Sequence, residues 1–321
     1  MKKILITGGS GFIGSNLAAY LNRDSEVLIL GRNIAIGRHI SERLGIEFRS
    51  VDVSNYEALR RVVSWFKPDQ LIHAAASKYV DYAEGDPCEC FETNVRGSVV
   101  VAQVAAESNV ESVIGISTDK AATAQWTAYG SSKLSMELLF ERMNDSSRTR
   151  FTSIRFGNVA WSTGSVLPLW TKMRENSGVV RTTGYDMTRF MCSVDSVSLY
   201  VQYCLENIDK VDGRTIVPIF KWLYIKDLLA SFLADNPCSF ECVNPRPGEK
   251  RAEVLLSGLE RMFSEVDQIN DAPVFKIRHG EQRIHSDTEL RDFDTSEAEQ
   301  HDTSSMEKLI QSKAFVIDGV A

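Results

Sequence analysis

Over the first 160 residues, short unbroken apolar runs alternate with longer stretches whose apolar positions recur at helical spacing. Lys3 to Thr7 reads as a fully buried strand, and Phe12 to Leu21 as the helix after it. Further strands are predicted at Glu26 to Leu30, Phe48 to Ser54, Gln70 to His73, Glu111 to Ser117 and Phe151 to Val159. Helices are predicted from Phe91 through Ala106 and from Tyr129 through Phe140. Strands alternating with helices in this way predict an α/β fold, a doubly wound parallel sheet. Beyond residue 160 the pattern loosens into Gly- and Pro-containing loops, and an acidic tail carries one amphipathic helix near Met306 to Ser312. The expected division is a ligand-binding domain over 1–160 and a smaller substrate-binding region over 161–321, with parts of the sheet interleaved.

Composition narrows the function classes. At 321 residues, with 43% hydrophobic and 25% charged positions, the chain can bury a large core as an ordinary soluble protein. A net charge of −7 argues against a nucleic-acid or anionic-membrane surface but permits a local basic pocket. No run approaches the roughly 18 apolar residues of a membrane span. Gly8-Gly9-Ser10-Gly11 also interrupts the apolar start too early for a signal peptide, so a cytoplasmic protein is expected. Cysteines at 88, 90, 192, 204, 238 and 242 lack zinc-site spacing and are expected to be reduced and mostly buried. Five scattered histidines suggest no metal.

The candidate chemistry begins with Gly8-x-x-Gly11-x-x-Gly14 between the first strand and the first helix. The first glycine permits a tight turn, and the second lets backbone approach a pyrophosphate. The third allows close packing of helix on strand, with the helix N-terminus facing the anion. Thr7, Ser10, Phe12 and Ile13 complete this candidate cofactor loop. At the end of the second strand stands Arg32, where an acidic residue would bond the ribose of NAD. An arginine there suits the 2′-phosphate of NADP, the other reading being a solvated surface charge. Ala74, Ala75 and Ala76 are small enough to let the chain pass under a ribose and nicotinamide. Lys78 is either a phosphate ligand or an ordinary solvated lysine.

The densest cluster is Ser117-Thr118-Asp119-Lys120, followed by Tyr129-x-x-x-Lys133. Tyr129 and Lys133 are i and i+4 and share a helix face, and a lysine one turn from a tyrosine is expected to lower the phenol toward neutrality. Asp119 and Lys120 are candidates for an acid and a base, the bland alternative being a surface salt bridge. Arg189, Arg246 and Lys250 can supply positive charge for a nucleoside diphosphate.

These residues resemble the extended short-chain dehydrogenases, and the whole chain is similar to the inverting UDP-N-acetylglucosamine 4,6-dehydratases of polysaccharide and nonulosonic acid biosynthesis. The match is carried by Ser117-Thr-Asp-Lys-Ala121, Gly157-Asn-Val159, Gly164-Ser-Val166, Met187-Thr-Arg-Phe190 and Arg246-Pro-Gly-Glu-Lys250. Dehydratases acting on dTDP-glucose or GDP-mannose carry an acidic residue after the Asp, so Thr-Asp-Lys looks like the membrane-free, inverting branch. The resemblance implies a Rossmann fold and a tightly bound, recycled NADP, with NAD the lesser alternative. It implies cofactor contacts at Asp52, Val53, Asn94, Ser117 and Phe156, and a UDP-sugar near Lys78, Asn158, Val166, Arg189, Arg246 and Glu249. Thr118, Asp119, Lys120, Tyr129 and Lys133 would be catalytic, Lys120 acting as a neutral base and Asp119 as a protonated acid. A homo-oligomer is expected. The chain departs from the pattern in three places. The Asp119–Tyr129 stretch is one residue longer, Thr163 replaces an Arg, and the C-terminal tail matches poorly. A UDP-sugar 4-epimerase or 5,6-dehydratase and a non-catalytic NADP-sensing protein are the competing readings.

Overall fold

The computed structural model describes residues 1–124, 127–245, 249–279 and 291–312. Among these, one large sheet organises the chain. Its strands are β1 (Lys2–Thr7), β2 (Ser25–Gly31), β3 (Glu47–Ser50), β4 (Gln70–His73), β5 (Ser112–Thr118) and β6 (Arg150–Phe156). Later segments add β10 (Thr215–Pro218), β14 (Ser264–Ile269) and β15 (Ala272–Ile277), in the order β14-β15-β10-β6-β5-β4-β1-β2-β3. The strands from β3 to β10 run parallel; β15 pairs antiparallel with both β10 and β14, and with β14 it forms a hairpin. Its turn, Asn270-Asp271, has positive φ at both residues, the twist that lets a two-residue loop join antiparallel strands.

Helices cover both faces because the central strands are apolar on both. Helices α1 (Phe12–Leu21), α2 (Ile34–Leu44) and α9 (Val194–Glu206) pack on one side, around Ile4, Ile6, Leu17, Ile29 and Val201. On the other side lie α3 (Tyr56–Phe66), α6 (Gly97–Glu107) and α7 (Ala128–Ser146), around Leu5, Leu28, Val101, Phe140 and Phe151. The single helix expected from Phe91 to Ala106 is interrupted. After the short α4 (Val80–Gly85) and α5 (Pro87–Phe91), residues Glu92–Arg96 form a π-helical turn before α6 begins. Such turns insert one residue and re-aim side chains, and this one carries Asn94.

The remaining elements build a smaller cluster at one end. Helices α8 (Val166–Ser177), α10 (Ile225–Asp235) and α12 (Thr303–Gln311) bury Leu167, Trp170, Leu228, Phe232 and Met306 together. Three small sheets accompany them: β11-β9-β7 (Trp222–Tyr224, Thr188–Cys192, Asn158–Val159), β12-β8 (Ser239–Val243, Val179–Thr183) and β13-β16 (Val254–Leu256, Phe293–Asp294). The four-residue α11 (Gly258–Arg261) opens on a capping box between Ser257 and Glu260. Of the cysteines, Cys90, Cys192 and Cys204 are buried, while Cys88 and Cys242 are exposed. All six are free, but only these three are fully inside, short of the mostly buried set expected. No group of metal-ligating side chains and no helix able to cross a membrane occurs among the described residues.

Candidate active site

The strand order reverses between β1 and β4, and at such a point the carboxyl ends of neighbouring strands diverge and leave a crevice. Here the crevice is a cleft of about 950 Å³, large for a small-molecule site. Each parallel strand delivers its exit residues to it. Gly8 and Ser10 to Gly14 come from β1, Arg32 from β2, Asp52 and Val53 from beyond β3, and Ala74 to Ala76 and Lys78 from β4. Ser117, Thr118 and Lys120 come from β5, Tyr129 and Lys133 from α7, and Phe156 and Asn158 from β6 and β7. Arg189, Glu249, Lys250 and Glu253, from later in the chain, also line it.

The cradle at the β1 exit is set by contacts that admit no side chain. A Cβ on Gly14 would lie 2.3 Å from the Gly8 carbonyl oxygen. Gly8 itself has φ +68° and would drive a Cβ to 2.6 Å from the Ala74 backbone. Helix α1 thus starts directly against the loop, and its N-cap residue, Gly11, brings no side chain to the first N–H groups. Those donors face the cleft, which suits a diphosphate. Beneath it, Thr7 is fully buried and meets His73 Nδ1 at 2.8 Å, tying β1 to β4. Burial pushes His73 down to about 3, so the imidazole is neutral in this contact.

Several sequence-derived positions sit differently from expectation. Asp52 does not end a strand, since β3 stops at Ser50; its carboxylate instead accepts from the Ser54 N–H at 3.0 Å and hydroxyl at 2.9 Å. Asn94 lies behind the cleft, where it accepts from the Ser77 N–H at 2.7 Å and donates to the Ser77 carbonyl at 3.0 Å. It also reaches the Ser132 hydroxyl at 2.8 Å, so the chain after Ala76 is clamped to α7. Arg32 lies at the rim, 3.4 Å from Glu89. Lys78 spans the mouth and donates to the Thr163 carbonyl at 2.7 Å, and burial pulls it down to about 8. Val166 turns away to pack against the smaller core, leaving Gly164 and Ser165 at the cleft. Arg246 falls outside the described residues.

At the β5 exit, Asp119 is 1% exposed and stands just behind the wall. Its Oδ1 accepts from the Thr118 hydroxyl and from Lys120 Nζ, each at 3.0 Å, while Oδ2 has no partner among the described residues. Burial favours its protonated form and raises its pKa. Lys120 runs opposite to the expected neutral base. Burial alone would lower it, but Asp119 at 3.0 Å and Glu253 at 3.5 Å outweigh that and hold the ammonium above the usual lysine range. Tyr129 also departs from expectation: burial pushes the phenol up to about 12, with Lys120 and the Thr118 hydroxyl pulling the other way. Lys133 is buried, directs its Nζ to the Met136 sulfur at 3.6 Å, and is pulled down to about 8 by burial. Desolvation, rather than the neighbouring lysine on the helix, therefore governs the tyrosine.

Glu253 was not legible beforehand. It lies immediately before β13, 6% exposed, and pairs with Lys120 and, at 3.8 Å, with Arg189. Nothing in its local sequence marks it, because its role depends on β13 packing against the Asp119–Ala121 turn. Tyr79 also lines the cleft, beneath the Lys78 ammonium at 5.2 Å from its ring centre.

The model of the family described as "polysaccharide biosynthesis protein" matches residues 4–272. The chain is 34% identical over 275 residues to a UDP-N-acetylglucosamine 4,6-dehydratase (inverting) of Campylobacter jejuni, covering 80% of this chain and 78% of that one. It is 33% identical to the capsular polysaccharide biosynthesis protein CapD of Staphylococcus aureus over 80% of this chain but only 45% of the relative, so it spans less than half of that protein. Among solved structures, Pen from Bacillus thuringiensis superposes with a TM-score of 0.84 at 24% identity, covering 96% and 97% of the two chains. DesIV, a dTDP-glucose 4,6-dehydratase from Streptomyces venezuelae solved with NAD, gives a TM-score of 0.68 at 20% identity, covering 78% of this chain and 86% of that one. These folds share the large, mostly parallel sheet flanked by helices. On the extent and identity of these matches, the chain belongs to the polysaccharide biosynthesis protein family.

Proposed function

We propose that the protein is an NADP-dependent UDP-N-acetylglucosamine 4,6-dehydratase that also inverts C5. In this reading residues 1–160 hold the cofactor and residues 161–321 the sugar nucleotide. The observation that carries it is the meeting of Thr118, Lys120 and Tyr129 on one wall of the cleft, with the Asp119 carboxyl buried behind them. The glycine cradle fits a dinucleotide diphosphate, and Arg32 at the rim fits a 2′-phosphate. A nicotinamide held there supplies the acceptor for the C4 hydride and later its donor to C6.

A C6 hydroxyl is a poor leaving group and C5–H is barely acidic until C4 becomes a ketone. Tyr129 takes the proton of the C4 hydroxyl, and Thr118 hydrogen-bonds the same oxygen. Lys120 passes its proton to the Asp119 carboxylate 3.0 Å away and, as the neutral amine, removes C5–H. Asp119, whose acid form burial favours, then gives that proton up to the departing C6 oxygen. Arg189 and Lys250, which also line the cleft, supply positive charge for the sugar nucleotide's diphosphate.

Incubation with UDP-N-acetylglucosamine in deuterated water, followed by proton NMR, tests the reading. A product with a C6 methyl group and deuterium at C5 is expected. A second reading is favoured by relatives such as the UDP-glucose 4-epimerase of Rickettsia bellii, 34% identical over 82% of this chain. A 4-epimerase leaves C5–H intact, so a C4 epimer without deuterium would replace the dehydratase reading. Absence of any turnover alongside cofactor binding would leave a sensor.

A further inference from the structure

We propose that Glu253 is a positioning residue: by an ion pair from the segment just before β13, it fixes the place and the positive charge of Lys120. Two carboxylates face this ammonium, Asp119 at 3.0 Å and Glu253 at 3.5 Å. They are not equivalent. Asp119 is buried, which favours its acid form, and among the described residues its Oδ2 has no partner. Glu253 has two cations on one oxygen, since Arg189 Nε approaches Oε1, the same oxygen that Lys120 meets, at 3.8 Å. Burial works against its charge, but Lys120, Arg189 and Lys250 outweigh burial and hold its carboxyl below the usual range. Glu253 is therefore the carboxylate that stays ionised, and it holds the resting ammonium in place until the proton passes to Asp119.

The arrangement also has a mechanical side. Asp119 and Lys120 are neighbours on one short turn, so their contact alone leaves the ammonium free to swing with that turn. Glu253 comes from the other half of the chain, 133 positions later in the same numbering. Arg189 is in turn anchored by its bonds to the Thr188 carbonyl at 2.8 Å and the Met187 sulfur at 3.1 Å. The other titratable groups bearing on the cluster are Tyr129, which faces Lys120; Lys250, at its edge; and Cys192, which faces Asp119.

The inference deepens the proposed reaction by naming what governs the group assigned to C5, yet Lys120 can be read without turnover. The full-length chain is treated with a short pulse of acetic anhydride over a range of pH, and acetylation of the Lys120 peptide is followed by mass spectrometry. In Glu253→Gln, loss of the charge should make Lys120 react about tenfold faster at neutral pH, the effect of a one-unit fall in pKa. Glu253→Asp, which keeps the carboxylate, should return toward the wild-type rate. A Gln variant that reacts at the wild-type rate overturns the proposal, as does an Asp variant that reacts as fast as the Gln variant, which reports access alone. Should the Gln variant not fold, the wild type decides: Lys120 reacting as fast as exposed Lys67 at neutral pH overturns it, and about tenfold slower reaction supports it. A chain that shows the shift but turns over no sugar nucleotide removes the reaction reading and leaves this one standing.

Discussion

Two buried charge clusters lie on either side of the β5 exit, built from the same residue types and satisfied to very different degrees. Beneath the cleft, Arg155 is fully buried and makes five bonds: two to Glu137 at 3.1 and 2.6 Å, two to Glu260 at 3.2 and 2.8 Å, and one to the Leu255 carbonyl at 3.0 Å. That uses the whole donor fork of a guanidinium. Glu137 accepts further from the Ser117 hydroxyl at 2.5 Å; at the margin of this cluster His279 meets Glu141 at 3.2 Å and lies 3.6 Å from Glu260, its Nε2 and Glu141 Oε1 having no hydrogen-bond partner among the described residues. At the cleft wall, the Asp119–Lys120–Glu253–Arg189 cluster has looser contacts, a quarter-exposed lysine and a carboxylate oxygen with no partner among the described residues. A saturated cluster holds its members in one state. An unsaturated one leaves protons to move, which is what acid–base chemistry requires. Ser117 and Thr118 are adjacent, so the rigid cluster anchors the backbone from which the labile one hangs.

Breaking each cluster should therefore do opposite things. Lys120→Ala and Tyr129→Phe should each lower turnover by about 10²- to 10⁴-fold, the worth of a positioned acid–base group, with far smaller change in stability. Turnover assays beside urea unfolding curves check both halves, and near-normal turnover in a folded Tyr129→Phe protein would remove the tyrosine from the reaction. Arg155→Leu should reverse the pattern. It leaves two buried carboxylates without their cation and should cost about 3–5 kcal/mol of stability, measured by the same unfolding curves.

His279, at the margin of the Arg155 cluster, offers a pH test of that side. Burial opposes its charge, but Glu141 and Glu260 outweigh burial and raise it to about 9 from 6.5. The imidazolium's stabilisation is thus complete below about pH 6.5 and is lost as pH rises through about 9, up to about 3 kcal/mol in all. Thermal midpoints should fall across that window in the wild type and much less in His279→Gln. The smallest effect is expected at the rim, where Arg32 is exposed and paired only with Glu89 at 3.4 Å. Arg32→Asp should weaken NADP relative to NAD by about 1.5–3 kcal/mol, the range for a hydrogen bond to a charged group, read by titrating each cofactor. An unchanged preference would make Arg32 a surface charge.

Much of this architecture is local in origin and so was legible in the sequence. Unbroken apolar runs such as Leu28 to Leu30 can only be strands covered on both faces, and their alternation with helices dictates a doubly wound sheet. Helix α1 begins at Phe12 because the glycine loop ends there, and the parallel strands of such a sheet all discharge their exit residues along one edge. What only the tertiary structure decided is of longer range. Desolvation set the protonation of Tyr129 and Lys120 against the expectation drawn from helical spacing, because burial depends on everything packed around a group. The π-turn at Asn94 was invisible to periodicity, since one inserted residue alters hydrogen bonding without altering composition. Glu253 and Arg155 acquire their partners from segments roughly a hundred positions away, and a charge's meaning in a protein is set by which opposite charge the fold brings within a few ångströms of it.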